Sequence, residues 1–246
     1  MRRSFTGRAL CLSKGVSPAH GASSSVSESD HPRGDGLSDG PGTAGGDAGN
    51  RTEFLSRLEA CARQALEGLS GSQVKGFVCS DVYAVDAALS WVTDKDFARG
   101  PVFCEWGSGL GVVSALAASH AFDVYGIEIQ LELVEAAREL VAEMGVVAEF
   151  AQGSFLLPGD ESLLDKCDQT RAVVSRDAYK DLELTPESCD IVFAYPWPGE
   201  EMMIDLVFER HAAKGALLLT YHENSRVLVQ RHMGANQELM PLQWVG

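Results

Sequence analysis

Two hydrophobic rhythms run through this chain after residue 50, and neither is present before it. Phe54, Leu55, Leu58, Ala62, Ala65, Leu66 and Leu69 recur at the spacing that lines one face of a helix. Asn50 with Glu53 has the form of a capping box that opens this helix, and Gly68 and Gly71 close it. Ser80 caps a second helix, with Val82, Val85, Ala88, Leu89 and Val92 along one side. Short apolar runs then alternate with helical stripes. The runs predict strands over 102–105, 123–128, 147–151, 189–195 and 216–221. The stripes predict helices over 111–119, 131–144 and 200–213. In the middle one Leu133, Ala136, Ala137, Leu140, Val141 and Met144 share a face, and Gly145 ends it. Strands alternating with helices imply a mostly parallel sheet with right-handed crossovers. The predicted class is therefore α/β, a Rossmann-like three-layer sandwich with helices on both faces. A ligand in such a fold sits at the carboxyl ends of the strands, near the point where strand order reverses.

Two stretches break the rhythm within the ordered part. The connection from Phe155 to Ser188 is long, which predicts a helix plus a lid over the substrate. After His222 the segments 226–231 and 239–244 read as two strands in a hairpin with no helix before it, a reduced C-terminal edge. Residues 1–49 are rich in Ser, Gly, Asp and Pro and cannot bury enough apolar surface to offset ordering, so a disordered tail is expected. The predicted domain is 50–246, with N-terminal helices over 50–99 and the Rossmann-like core over 100–246. Arg2, Arg3, Arg8 and Lys14 precede the first acid, Glu28, so residues 1–27 resemble a weak organelle transit peptide. A plain flexible tail or a mis-set start codon accounts for them equally.

Composition narrows the class. The chain has 246 residues and is 45% apolar, enough for one α/β domain with a real core. Its net charge of −15 argues against a broad contact with a nucleic-acid backbone, which needs clustered Lys and Arg. Small metabolites, free nucleotides or a basic protein remain as partners. The cysteines (Cys11, Cys61, Cys79, Cys104, Cys167, Cys189) form no Cys-x-x-Cys pair, and Cys104 and Cys189 fall in predicted buried strands. A reducing, cytoplasmic compartment follows. His20, His31, His120, His211, His222 and His232 are scattered, and no metal site is expected. No apolar run approaches the roughly eighteen residues of a membrane span. Oligomeric state is not legible.

The candidate chemistry centres on Val102 to Gly111, where an apolar run ends in Glu105 and Gly107, Gly109 and Gly111 follow at alternate positions. Glycines let a turn approach a ligand closely, and the helix start beyond it supplies unpaired N–H groups. Glu128 ends the next apolar run, seventeen residues after Gly111. An acid at that place takes ribose hydroxyls in nucleotide-binding βαβ units. A dinucleotide fingerprint would need glycine at the position of Val112, and Glu105 would repel a pyrophosphate. An NAD-type site is therefore the weaker reading. The segment Glu105-Trp-Gly107-Ser-Gly109-Leu-Gly111 resembles motif I of the class I S-adenosylmethionine (SAM)-dependent methyltransferases, and Tyr125-Gly126-Ile127-Glu128 is similar to their second motif. The resemblance covers roughly residues 100–222. It implies a glycine turn, with Ser108 in it, against the cofactor. The Glu105 region would face the methionine part, Glu128 would hold the ribose diol, and Ile129 would pack on adenine. It also implies that Ser154, followed by Phe155, meets the adenine amine, and that the helices before the first strand cover the cofactor, with Tyr83 or Asp86 in reach.

The fourth strand ends in Tyr195-Pro196-Trp197-Pro198-Gly199-Glu200-Glu201, a stiff aromatic turn. It partly resembles the Asp/Asn-Pro-Pro-aromatic motif of amino-group methyltransferases, with Tyr195 at the polar position and Trp197 between the prolines. Tyr195, Pro196 and Trp197 are candidates to contact substrate, or they form a rigid corner. Glu200 and Glu201 either meet a substrate amine or favour the start of the next helix. His222 is a candidate general base or a structural histidine. The catalytic role stays open among Tyr195, Trp197 and His222. The expected activity is methyl transfer from SAM to an N, O or C acceptor, on a small molecule or protein rather than nucleic acid. Alternatives are aminopropyl transfer from decarboxylated SAM, with Asp177, Asp181, Glu200 and Glu201 as candidate carboxylates, and a SAM-binding module without catalysis.

Overall fold

The computed structural model describes residues 45–69, 79–165, 172–234, 237 and 239–242. Residues 1–44 of the predicted tail, Gly71 and the last two residues of the last predicted strand lie outside them, as do Cys11, Cys167, His20 and His31. In chain order the elements are α1 (Gly45–Gly68), α2 (Val82–Asp94), β1 (Val102–Trp106), α3 (Val112–Ser119), β2 (Asp123–Glu128), α4 (Leu131–Met144), β3 (Glu149–Gln152), α5 (Glu161–Leu164), α6 (Ala178–Asp181), β4 (Ile191–Ala194), α7 (Glu201–His211), β5 (Leu217–His222), β6 (Arg226–Arg231) and β7 (Met240–Pro241). Residues 49–246 group as one unit by their contacts.

The sheet order is β3-β2-β1-β4-β5-β6-β7. The first five strands are parallel, and β6 and β7 each run antiparallel to their predecessor. Strand order reverses between β1 and β4. β1, β4 and β5 read as continuous apolar runs because both sheet faces are covered. One core packs α1–α4 on Phe103, Val124, Ile191 and Leu219. The other packs α5, α6 and α7 on Cys104, Ile127, Val192 and Leu218. Successive strand residues feed alternate cores, as the two-residue pleat requires.

Several element ends differ from the sequence reading, mostly by one or two residues (β4 is Ile191–Ala194 and α7 is Glu201–His211, each shorter than predicted), and three of the differences have a clear cause. α1 already runs from Gly45, so Asn50 lies inside it. A capping pair contributes only about 1 kcal/mol, and continued backbone hydrogen bonding overrides it. Asp81, not Ser80, caps α2, and its Oδ1 accepts from the N–H groups of Tyr83 at 2.9 Å and Ala84 at 3.1 Å. β3 starts two residues late, at Glu149, because only there does it meet Tyr125 of β2. β2, α4 and β6 lie where the periodicity places them, and α4 ends at Gly145 with φ +71°.

The long connection lies over β3, the edge strand. Ser154 N–H donates to the Arg176 carbonyl at 2.8 Å, and Ser154 Oγ donates to the Val173 carbonyl at 2.6 Å. Residues 172–177 thus form a strap held beside the carboxyl end of β3. Toward the opposite edge, β5 turns directly into β6 through Asn224 (φ +63°) and Ser225 (φ +57°). Ser225 Oγ donates to Asp81 Oδ2 at 2.8 Å and ties that hairpin to the start of α2. No helix among the described residues is long and apolar enough to cross a membrane.

Candidate active site

Three backbone facts build the site. β1 ends at Trp106, and the chain must then climb over β2 to enter α3. Gly107 and Ser108 both donate their N–H to the Ile127 carbonyl, at 2.8 and 2.9 Å. Gly107 adopts φ +70°, and a Cβ added there would meet nothing within 4 Å. That vacant flank borders a cavity of about 330 Å³, within the range of small-molecule sites. The cavity spans the carboxyl ends of β1, β2, β3 and β4, across the place where strand order reverses.

Glu128 is the carboxylate of this cavity's β2 side. It is buried, its Oε2 accepts Gly109 N–H at 3.0 Å, and its Oε1 accepts Gln130 N–H at 2.9 Å. Burial raises its pKa, against the pull of the N–H groups of Gln130, Gly109 and Ile129. A carboxylate has about four lone-pair sites, so two backbone donors leave it room for ligand hydroxyls. Gly107, Gly109, Ile129, Ser154 and Phe155 share the cavity with it. Phe155 stacks flat on Trp106, with ring centroids 4.8 Å apart and planes 4° off parallel. Sequence reasoning passed over Trp106. Its signal was an aromatic residue at the last position of a strand that leads into a glycine turn. Ser154 Oγ is already committed, donating to Val173 and accepting from Leu156 N–H at 2.9 Å.

Tyr195, Pro196 and Trp197 line the same cavity from the β4 side. Tyr195 meets Tyr221 edge-on at 4.8 Å. Burial raises its hydroxyl's pKa, with smaller contributions from Tyr221 and Glu223. Trp197 N–H donates to Glu200 Oε2 at 3.2 Å, and Glu200 N–H donates to the Trp197 carbonyl at 2.8 Å, so the turn closes on itself. Glu200 is 5% exposed and lines the cavity. Glu201 is exposed, accepts from Gly199 N–H and opens α7.

Several candidates are placed elsewhere. Glu105 faces the α3 layer and does not line the cavity. Its Oε2 accepts from Ser114 N–H at 2.8 Å and Ser114 Oγ at 2.6 Å, so it caps α3, which Gly111 enters at φ +70° without a side-chain cap. Burial raises the Glu105 carboxyl to about 8, against its bonds to Ser114. Ser108 Oγ is buried beneath the turn without a hydrogen-bond partner. His222 bonds Thr220 Oγ1 at 2.8 Å on β5, outside the cavity lining. Burial and Arg226 lower its pKa. Asp86 pairs with Arg51 and with His120 at 2.8 Å, and Tyr83 is exposed at 45%. Neither Asp86 nor Tyr83 reaches the cavity lining. Asp177 and Asp181 pair with Lys180 and Arg176, at 3.2 and 2.7 Å, and do not line it either. Among the described residues no group of three or more His, Cys, Asp or Glu is arranged to hold a metal ion.

No family model matches the chain. Among solved structures it is similar to an RNA methyltransferase from Salinibacter ruber in complex with S-adenosyl-L-homocysteine (SAH). The identity is 23% over 58% of this chain and 76% of that one, with a TM-score of 0.42. It is also similar to an SAH complex of an O-methyltransferase from Bacillus cereus, at 14% identity over 67% of this chain and 65% of that one, TM-score 0.46. A third is the tRNA (uracil-54, C5)-methyltransferase of Pyrococcus abyssi with SAH, at 18% identity over 61% of this chain, TM-score 0.37. The chain spans only 31% of that protein's length. The fold itself is given by the sheet order above.

Proposed function

We propose that this chain is a SAM-dependent methyltransferase acting on an N, O or C group of a small molecule or a protein. The observation that carries the reading is the joint placement of Glu128 and the Gly107–Gly109 turn on one cavity at the strand-order reversal. The residues present fit such a cofactor. Gly107 leaves a flank without side chain, Glu128 accepts hydroxyls beside it, and the described lining carries carboxylates but no Lys or Arg. When bound, the cofactor supplies a methyl group already activated on a sulfonium.

The protein's own work is then to bind, orient and exclude water. Glu128 fixes the ribose end, and holds the turn in register through Gly109. Ile129 and Phe155 cover the base. The stacked Trp106–Phe155 pair and the Tyr195–Trp197 turn form dry walls. Positioning of two reactants contributes roughly 7–11 kcal/mol, which accounts for a site without a catalytic triad. A lining free of Lys and Arg among the described residues, on a chain of net charge −15, supports an acceptor other than a nucleic-acid backbone. Calorimetric titration of the full chain with SAH is the test. One site is expected per chain, competed by SAM; a flat titration would end the proposal.

A further inference from the structure

One carboxylate at the cavity is not used by that reading. The described lining has two charged side chains, Glu128 and Glu200, and both are buried. Glu128 belongs to the end of β2, and Glu200 follows β4. With β1 between them, the two strand ends lie two spacings, about 10 Å, apart. Glu200 lies past the end of β4 at the start of α7, with the Tyr195–Pro198 turn, so a ligand whose ribose occupies Glu128 on the β2 side meets Glu200 with a different group. Around Glu200 the walls are aromatic and stiff: Tyr195 is braced by Tyr221, and Trp197 sits between Pro196 and Pro198. Aromatic faces attract cations. At the mouth, Ile129 and Val173 are 41% and 44% exposed and offer apolar surface to the body of a ligand.

We propose that the end of the cavity bounded by Tyr195, Trp197 and Glu200 takes an organic cation, an amine carried on a flat or apolar body, as the second ligand beside the cofactor. The inference rests on the methyltransferase reading for its role and on the cavity's charge and walls for its chemistry. Two buried carboxylates in a low-dielectric space are stabilised by a ligand that brings positive charge. A carboxylate or phosphate would add a like charge that no described lining residue offsets.

The test uses a matched pair of probes, tryptamine and indole-3-propionate, which share an indole and differ in the sign of the tail. Each is titrated calorimetrically into the full chain, with and without saturating SAH. Tryptamine is expected to bind about tenfold tighter or more, the worth of one hydrogen bond to a charged group. Glu200→Gln should bring the ratio toward one. Glu201→Gln makes the same charge change one residue on, at an exposed position outside the lining, and should keep the ratio. Equal or tighter binding of indole-3-propionate overturns the inference, as does no binding of either probe, or a preference that survives Glu200→Gln. The native chain's ratio decides the matter even where Glu200→Gln does not fold. SAH binding without a tryptamine preference sinks this inference alone. A tryptamine preference without SAH binding sinks the methyltransferase reading and leaves the cation site standing.

Discussion

The ends of β1 and β2 look alike in sequence and do different things in space. Each closes an apolar run with a glutamate near a glycine. Their registers differ. Glu105 pairs with Gly126, two residues before Glu128 on the same sheet face. Two residues of strand are about 6.6 Å. Glu105 therefore lies one layer deeper, beneath the first turn of α3, and spends its oxygens on Ser114. Glu128 stands one layer higher, at the cavity, and holds the turn from outside. A carboxylate in the lower layer is a structural cap; one in the upper layer is exposed to a ligand. The lesson is that an acid's register along the sheet decides its task.

The sharpest break between the layers is Glu128→Ala. It leaves ribose hydroxyls unpaired at about 1–3 kcal/mol each, so SAH affinity should fall by at least tenfold, and the unfolding midpoint should also drop because the Gly109 and Gln130 N–H groups lose their acceptor. Calorimetry beside a thermal melt checks both halves. An unchanged SAH affinity would remove Glu128 from the site.

A loss of stability is expected from Gly126→Ala, in the lower layer. The new Cβ would lie 2.4 Å from Phe150 Cδ1 and 3.0 Å from Ser108 Cβ. Phe150 is buried and cannot swing aside, so overpacking should cost about 1–3 kcal/mol of stability. Denaturant unfolding reads this directly. Retained stability would mean that the ring is looser than its packing implies.

The pH-dependent effect is the most specific. Glu105 titrates at about 8 in the folded chain against an ordinary 4.5. The folded state therefore binds more protons between those values, and stability from this group is lost as pH rises through that window. Gln keeps an oxygen for Ser114 and does not titrate. The stability difference between Glu105→Gln and the native chain should move in favour of the variant from about pH 5 to about pH 9, by up to a few kcal/mol if the whole shift is expressed. A difference that stays flat in urea unfolding at the two ends would mean that Glu105 titrates as an exposed acid does.

Much of this was legible in the residues, because it depends on local period. β2, α4 and β6 follow from apolar spacing and from Gly145, and the alternation of strands and helices implied the parallel sheet. Glu128 was legible because an acid that ends a strand shortly before a helix stands at the strand's carboxyl end, where such folds bind ligands. Trp106 was not, because its use comes from Phe155, which arrives from another strand end. Asp86 and Tyr83 were drawn toward the ligand by their place in the sequence. The ion pairs of Asp86 with Arg51 and His120 hold it at the junction of three helices instead.

By itself the sequence determined the class of fold, the glycine turn and the acid that accompanies it, since hydrophobic period and turn chemistry act over a few residues. Tertiary structure decided which carboxylates meet the cavity. Strand register and sheet order set depth and lateral distance, and neither is a property of any short segment. Thus Glu105 went under α3, Glu128 and Glu200 took opposite sides of one cavity, and Asp177 and Asp181 were spent on their neighbours.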